Sequence, residues 1–259
     1  MRGRLALQLF MAGTLFASAA GKPVCAQAPA APVDVPTPAS NWPKPVKDDR
    51  VFTFITSDEL EGRTDGPNKS FRWDGQGWIG TDFNKLWIKS EGTETNGITR
   101  DGDHEILYDR PIPHLRYFDW QAGARIDLDS GPTRAWAALG VEGLAPYFFN
   151  FAPTFYVRDG GRVAGRIQGS YDLYLSQRLI LQPQVEMNFY SHADRGRGIG
   201  TGLSDLDSGG RLGYQISRKF APYIGFTYSS SFGQTAIFAR SAGESVHVSS
   251  LVFGVWVWR

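Results

Sequence analysis

From residue 51 to the C-terminus, apolar and polar side chains alternate with a period of two. Between Leu179 and Tyr190, the residues Leu179, Leu181, Pro183, Val185, Met187 and Phe189 fall on one face, and Gln182, Gln184, Glu186 and Asn188 on the other. A helix would scatter those polar groups around its circumference, whereas a strand collects them on one side. The same holds at 117–128, where Phe118, Trp120, Ala122, Ala124 and Ile126 oppose Tyr117, Asp119, Gln121, Arg125 and Asp127. A third stretch sets Val163, Ile167, Tyr171 and Leu173 against Arg166, Gln168, Ser170 and Asp172. The pattern predicts strands near 51–61, 70–80, 82–91, 103–111, 115–127, 133–144, 147–158, 162–174, 178–190, 206–217, 221–232 and 246–258.

The breaks between these strands have a parity of their own. Those near 80–82, 111–114, 144–146, 175–177 and 218–220 are tight. The other set contains the long ones, at 62–69, 92–102, 191–205 and 233–245, together with the short 128–132 and 159–161. Long external loops on one side and tight periplasmic turns on the other are what an outer-membrane barrel shows. The fold expected is therefore all-β, a transmembrane antiparallel up-and-down β-barrel of about 12 strands, both termini on the periplasmic side. A soluble double-sheet sandwich is the competing arrangement.

Composition narrows the choice. Charged residues make up 20% of the 259-residue chain and mean hydropathy is −0.28, which excludes a bundle of membrane helices. Barrel strands tolerate such values because every second residue faces the interior. The 8 Trp, 10 Tyr and 17 Phe suit aromatic girdles at the membrane interfaces. At the N-terminus, Arg2 and Arg4 precede the apolar run 5–20, and Val24-Cys25-Ala26 reads as a cleavage site. Residues 1–26 are thus expected to be a signal peptide, 27–50 an Ala/Pro-rich periplasmic linker and 51–259 the barrel. Cleavage would remove the single cysteine, Cys25, and with it any disulfide or thiolate chemistry. Loss of Arg2, Arg4 and Lys22 takes the formal charge from +1 to −2, a balance that argues against nucleic acid as a partner.

Several segments resemble the copper-resistance protein B family (CopB/PcoB) of outer-membrane proteins. They are GWIGTDFNKLWIKSEG (77–92), FDWQAGARID (118–127), WAALGVEGLAPYFF (136–149), YDLYLSQRLILQP (171–183), RGIGTGLSDLD (197–207) and KFAPYIGF (219–226). The resemblance spans nearly the whole barrel region. It implies copper ions as the bound species and a part in copper homeostasis or export across the envelope. It also implies outer-membrane lipids, the barrel-insertion machinery and periplasmic copper-handling proteins as partners. Two departures stand out. Family members typically carry a Met- and His-rich segment before the barrel, whereas the linker here has neither residue. The chain also ends Trp258-Arg259 rather than on an aromatic. A general small-solute or cation channel is the alternative function.

Alternation places Asp119, Arg125, Glu142, Arg166, Asp172, Glu186 and Arg211, with Gln121, Gln182, Gln184 and Gln215, in the lumen. Such residues either form a hydrogen-bonded ionic plug or line a cation path. The candidate copper contacts are His104, His114, His192, Glu142, Glu186 and Asp172, since imidazole and carboxylate both suit copper. The four histidines show no local ligand spacing. Asp-Leu-Asp-Ser-Gly occurs at 127–131 and 205–209, and both copies are expected at strand ends on the outer rim. The Gly-rich 196–202 run lacks the Lys-Ser/Thr of a phosphate loop and reads as an external loop. No catalytic set of nucleophile, base and orienter can be named, so no enzymatic activity is expected; His247 and Ser249, on one strand face, are the nearest pair.

Overall fold

A computed structural model describes residues 50–259 except 67, 130 and 131. The expected signal peptide and linker lie outside the described residues, apart from Arg50.

Twelve antiparallel strands close into a barrel. They are β1 (Phe52–Thr64), β2 (Lys69–Gly80), β3 (Lys85–Thr95), β4 (Ile98–Pro111), β5 (Phe118–Asp127) and β6 (Arg134–Ala145), followed by β7 (Phe149–Arg158) and β8 (Arg162–Tyr171). After Asp172, β8 is continued by the short Leu173–Tyr174 segment; then come β9 (Leu179–Tyr190), β10 (Gly202–Tyr214), β11 (Phe220–Ser231) and β12 (His247–Trp258). Each strand pairs with its neighbours in sequence, and β1 pairs with β12 from Thr56↔Trp258 to Thr64↔Leu251, so no edge is left open. Backbone bonds between Ile55 and Arg259 tie the start of β1 to the end of the chain at one end of the barrel. Among the described residues, no helix is long and apolar enough to cross a membrane.

The barrel is inside-out relative to a water-soluble core. Outward residues such as Ile55 (65% exposed), Ile106, Leu139, Ile224 and Phe253 form an uncovered apolar belt. The most deeply buried large side chain is Arg211, at 0% exposure, accompanied by Glu61, Asp109 and Tyr156. An exposed apolar surface of this extent is unstable in water and stable in hydrocarbon. Two small apolar clusters share the lumen with the charges. One is Leu107, Trp136, Ala138, Tyr156 and Ala164; the other is Ile180, Ala221, Tyr223, Val252 and Trp256. Gly213 belongs to the second, because a Cβ there would overlap the Trp256 ring.

Three expectations about the connections are corrected. The long loop expected at 92–102 is a hairpin: β3 and β4 extend past the barrel wall and join through Asn96-Gly97, both with positive φ. Those values fit a two-residue type I′ turn, for which Asn-Gly is the strongest sequence signal. The 233–245 connection contains a helix, α1 (Gly233–Ser241). The tenth strand begins at Gly202 rather than 206, so the second Asp-Leu-Asp-Ser-Gly copy lies inside β10, with Asp207 accepting from Arg63 and Ser229. The first copy does end a strand, at Asp127.

At the end away from the termini, the connections hold one another in a ring. The Gly102 amide donates to Asp129, Arg197 of the 191–201 loop pairs with Asp127 and Asp129, and Arg134 pairs with Asp194. The Gly200 amide donates to Thr235 of α1 at 2.8 Å, and Arg100 of the β3–β4 hairpin grips both oxygens of Glu244 at 3.1 and 2.6 Å. The Gly-rich 196–202 run is thus pinned at both ends. Arg100 lowers the Glu244 carboxyl below its ordinary value of 4.5, chiefly by hydrogen bonding. Because the folded value lies below the unfolded one, the contact contributes fully above the ordinary range and is lost as pH falls through the lowered value. Both partners are about half exposed, so solvent screens much of the gain. Spin labels at Asn96 and Ala242 are expected to give a narrow distance distribution at neutral pH that broadens below the glutamate range. Glu244→Gln should be broad at both, and an unchanged width would count against the contact as a tether.

Candidate functional site

The lumen holds two knots of ion pairs and a cavity that shares part of their side chains. The knots are built from arginines whose charges are matched by carboxylates on the same strand, on the neighbouring strand or farther round the barrel. Arg211 donates to Glu59 at 2.7 Å and to both oxygens of Glu61 at 2.8 Å. Arg63 reaches Glu61, Glu59 and Asp207, and Tyr223 donates its hydroxyl to Glu61 at 2.8 Å. A second knot joins Arg166 to Glu91 and Asp103, and Arg125 to Asp103 and Asp127. Arg72 links the two knots, at 2.6 Å from Glu59, 3.7 Å from Glu91 and 3.6 Å from Glu186. The Tyr156 ring lies under the Arg125 guanidinium at 4.7 Å.

Against these knots, towards the end that carries Ile55 and Arg259, lies a cavity of about 600 Å³. Arg116 and Tyr117 of the 112–117 turn help line it, so it reaches that rim. Its lining includes no residue from the connections at the opposite end. Carboxylates dominate the wall: Asp58, Asp74, Asp109, Asp119, Glu142 and Asp172 among them. Lys85 neutralises Asp109 and Asp119 at 3.3 and 2.6 Å, and Lys89 pairs with Glu142 at 2.6 Å. Asp58 takes only the Gln76 amide and the Thr56 hydroxyl, and Asp172 the Gln182 amide. These two acids accept neutral donors and make no ion pair among the described residues.

A backbone irregularity sharpens the acidity. Ser57 pairs with Gly75 and Glu59 with Asp74, so Asp58 is an extra residue in β1. Such a bulge shifts the phase of a strand. Here it turns both Asp58 and Glu59 into the cavity, where plain alternation would have sent one of them to lipid.

The residues expected in the lumen are largely there. Asp119, Glu142, Asp172, Gln182, Gln184 and Glu186 line the cavity, Arg166 belongs both to its wall and to a knot, and Arg125 and Arg211 are in the knots. Gln121 bridges Lys89 and Asp109. Gln215 lies past the end of β10, where its amide bonds to Arg178. Of the candidate copper contacts, the fold brings Glu142, Asp172 and Glu186 to one cavity. It keeps the histidines apart: His104 shares the outward face of β4 with Ile106, His114 lies in the 112–117 turn, and His192 in the 191–201 loop beside Ser191. His247 contacts Ser230 and Tyr228 on the outer wall. Among the described residues, no group of three or more His, Cys, Asp or Glu is placed to hold a metal ion. Sequence reasoning missed Arg72, Asp74, Lys85, Lys89, Glu91 and Asp109, although period two in β2 to β4 points all six inward.

Comparison with known proteins matches this architecture. The sequence profile of the family described as copper resistance protein B precursor (CopB) matches residues 51–258. Copper resistance protein B of Escherichia coli is 38% identical over 213 residues, covering 82% of this chain and 71% of that protein. The homolog of Pseudomonas syringae pv. tomato is 38% identical over 213 residues, covering 82% of this chain and 72% of that protein. The solved structure of the NanC porin superposes with a TM-score of 0.51 at 13% identity, covering 80% of this chain and 99% of that one. At that identity the likeness concerns the fold alone.

Proposed function

The chain belongs to the copper resistance protein B family, whose role is copper resistance, and from that premise we propose that the cavity of the barrel receives copper ions. In this reading the barrel spans the outer membrane with its termini, and so the mouth of the cavity, towards the periplasm. Copper enters from that side and is held by carboxylates on its way to homeostasis or export.

The observation that carries the reading is the charge imbalance of the cavity. Asp58, Asp74 and Asp172 supply oxygen donors beyond those that Lys85 and Lys89 neutralise. Oxygen donors favour divalent over monovalent copper, whose preference is for thiolate and thioether ligands. An open small-solute channel would need a continuous path past the arginine–carboxylate knots that cross the lumen.

Copper stoichiometry of the refolded barrel tests this. Wild type is expected to bind divalent copper, and Asp58→Asn with Asp74→Asn and Asp172→Asn to lose most of that binding while keeping its fold. A cell lacking the gene is expected to be more sensitive to copper. Equal copper binding by wild type and the triple variant would remove the cavity from the explanation.

A further inference from the structure

Two hairpin turns of this barrel share one backbone shape and differ in what they carry. At the end away from the termini, Arg158 pairs with Arg162 across 159–161, and the last two turn residues are Gly160 and Gly161, with φ of 69° and 71°. At the other end, Ala145 pairs with Phe149 across 146–148, and the equivalent residues are Tyr147 and Phe148, with φ of 68° and 63°. Glycine adopts this left-handed region freely, whereas other residues lose about 1–2 kcal/mol each there. The barrel therefore holds two aromatic residues in an unfavourable backbone state where glycine would serve. The rings gain little from the protein itself, since Tyr147 is 88% exposed and Phe148 78%.

The flanking turns continue the theme. Leu115 and Tyr117 on one side, and Tyr174 and Leu175 on the other, are also exposed. Arg116 and Arg178 are exposed among them. Across the five turns of this end, the exposed charges are Arg116, Arg178, Arg218 and Lys219 against Asp82 and Asp172. Asp172 lines the cavity and accepts from Gln182.

We propose that the Tyr147–Phe148 tip, with Arg116 and Arg178 beside it, is an interfacial anchor that takes the headgroups of anionic phospholipids. Aromatic rings with one apolar and one polar edge gain most at the boundary of hydrocarbon and water. Arginines beside them add attraction to anionic headgroups, about 1 kcal/mol for each charge near the surface. Geometry favours lipid over a protein partner. The tip lies three or four residues beyond the outward-facing Leu144, so at about 3.3 Å per residue it stays within roughly 13 Å of the apolar belt, in the headgroup layer. The assignment of this leaflet to phospholipid rests on the proposed orientation, with the termini towards the periplasm.

The test uses the refolded full-length mature chain in symmetric vesicles of phosphatidylcholine with or without phosphatidylglycerol. Retained lipid is counted by native mass spectrometry. Wild type is expected to retain phosphatidylglycerol in preference to phosphatidylcholine. Arg116→Gln with Arg178→Gln should weaken that preference about five-fold for each charge removed. Tyr147→Gly with Phe148→Gly should relieve the backbone and raise the denaturation midpoint in detergent, while lowering phosphatidylglycerol retention. Undiminished retention in both variants overturns the proposal. Unchanged lipid retention with loss of a periplasmic protein partner in the glycine variant would make the tip a protein-docking surface instead. Symmetric vesicles make the readout independent of orientation and of copper, so this proposal and the copper reading fail separately.

Discussion

Arg211→Ala is expected to lower the unfolding free energy of the barrel by about 3–5 kcal/mol, because it strips the partner from a buried charge. The guanidinium is fully enclosed and satisfies Glu59 and Glu61 together. Without it, Arg63 and Tyr223 remain on Glu61, and Arg72 on Glu59, so the two carboxylates share fewer donors in a water-poor space. Urea titration of the protein folded in vesicles, followed by tryptophan fluorescence, measures the change. Arg211→Met with Glu61→Gln removes charge from both sides and is expected to recover much of the loss, since breaking a pair costs more than deleting it. A loss below about 1 kcal/mol, the scale of an exposed pair, would mean that water reaches this part of the lumen.

The second large effect concerns permeation. Arg72→Ala with Arg166→Ala removes the cation that links the two knots and the centre of the second, leaving Glu91 and Glu186 with far less compensation. In planar bilayers the wild-type barrel is expected to stay closed and the double variant to show stepwise, cation-selective currents. One charge about 4 Å from a passing ion, at an effective dielectric of about 20, is worth about 4 kcal/mol, so selectivity for cations over anions should exceed tenfold. Currents in the wild type, or none in the variant, would show that the knots are not the barrier. In the latter case the ring of loops through Arg197, Thr235 and Glu244 becomes the obstruction to remove.

The two effects rest on the same feature, a charged interior that the chain encodes by alternation. Barrels in hydrocarbon need no apolar core, because the solvent outside is already apolar. The inward positions can then hold charge, provided each group meets a partner.

What the chain alone determines is the periodic part. Alternation in segments such as 179–190 decides that these are strands, which side faces lipid and that Arg125, Arg166, Glu186 and Arg211 point inward. Those are local consequences of a period of two, and they hold in any closed sheet. Turn chemistry was also written locally, and the Asn96-Gly97 signal suffices to replace the expected 92–102 loop with a hairpin. Tertiary structure decided what depends on register between strands far apart in sequence. Arg211 meets Glu61 only because barrel closure brings β10 to within three strands of β1, and their separation of 150 positions leaves no mark on local pattern. The Asp58 bulge likewise exists only against its pairing partners, since an extra residue is defined by the strand beside it. Tertiary structure likewise decided where the knots and the cavity lie: alternation sends charges inward, but the closed circuit of strands sets which arginine reaches which carboxylate and where acids are left over.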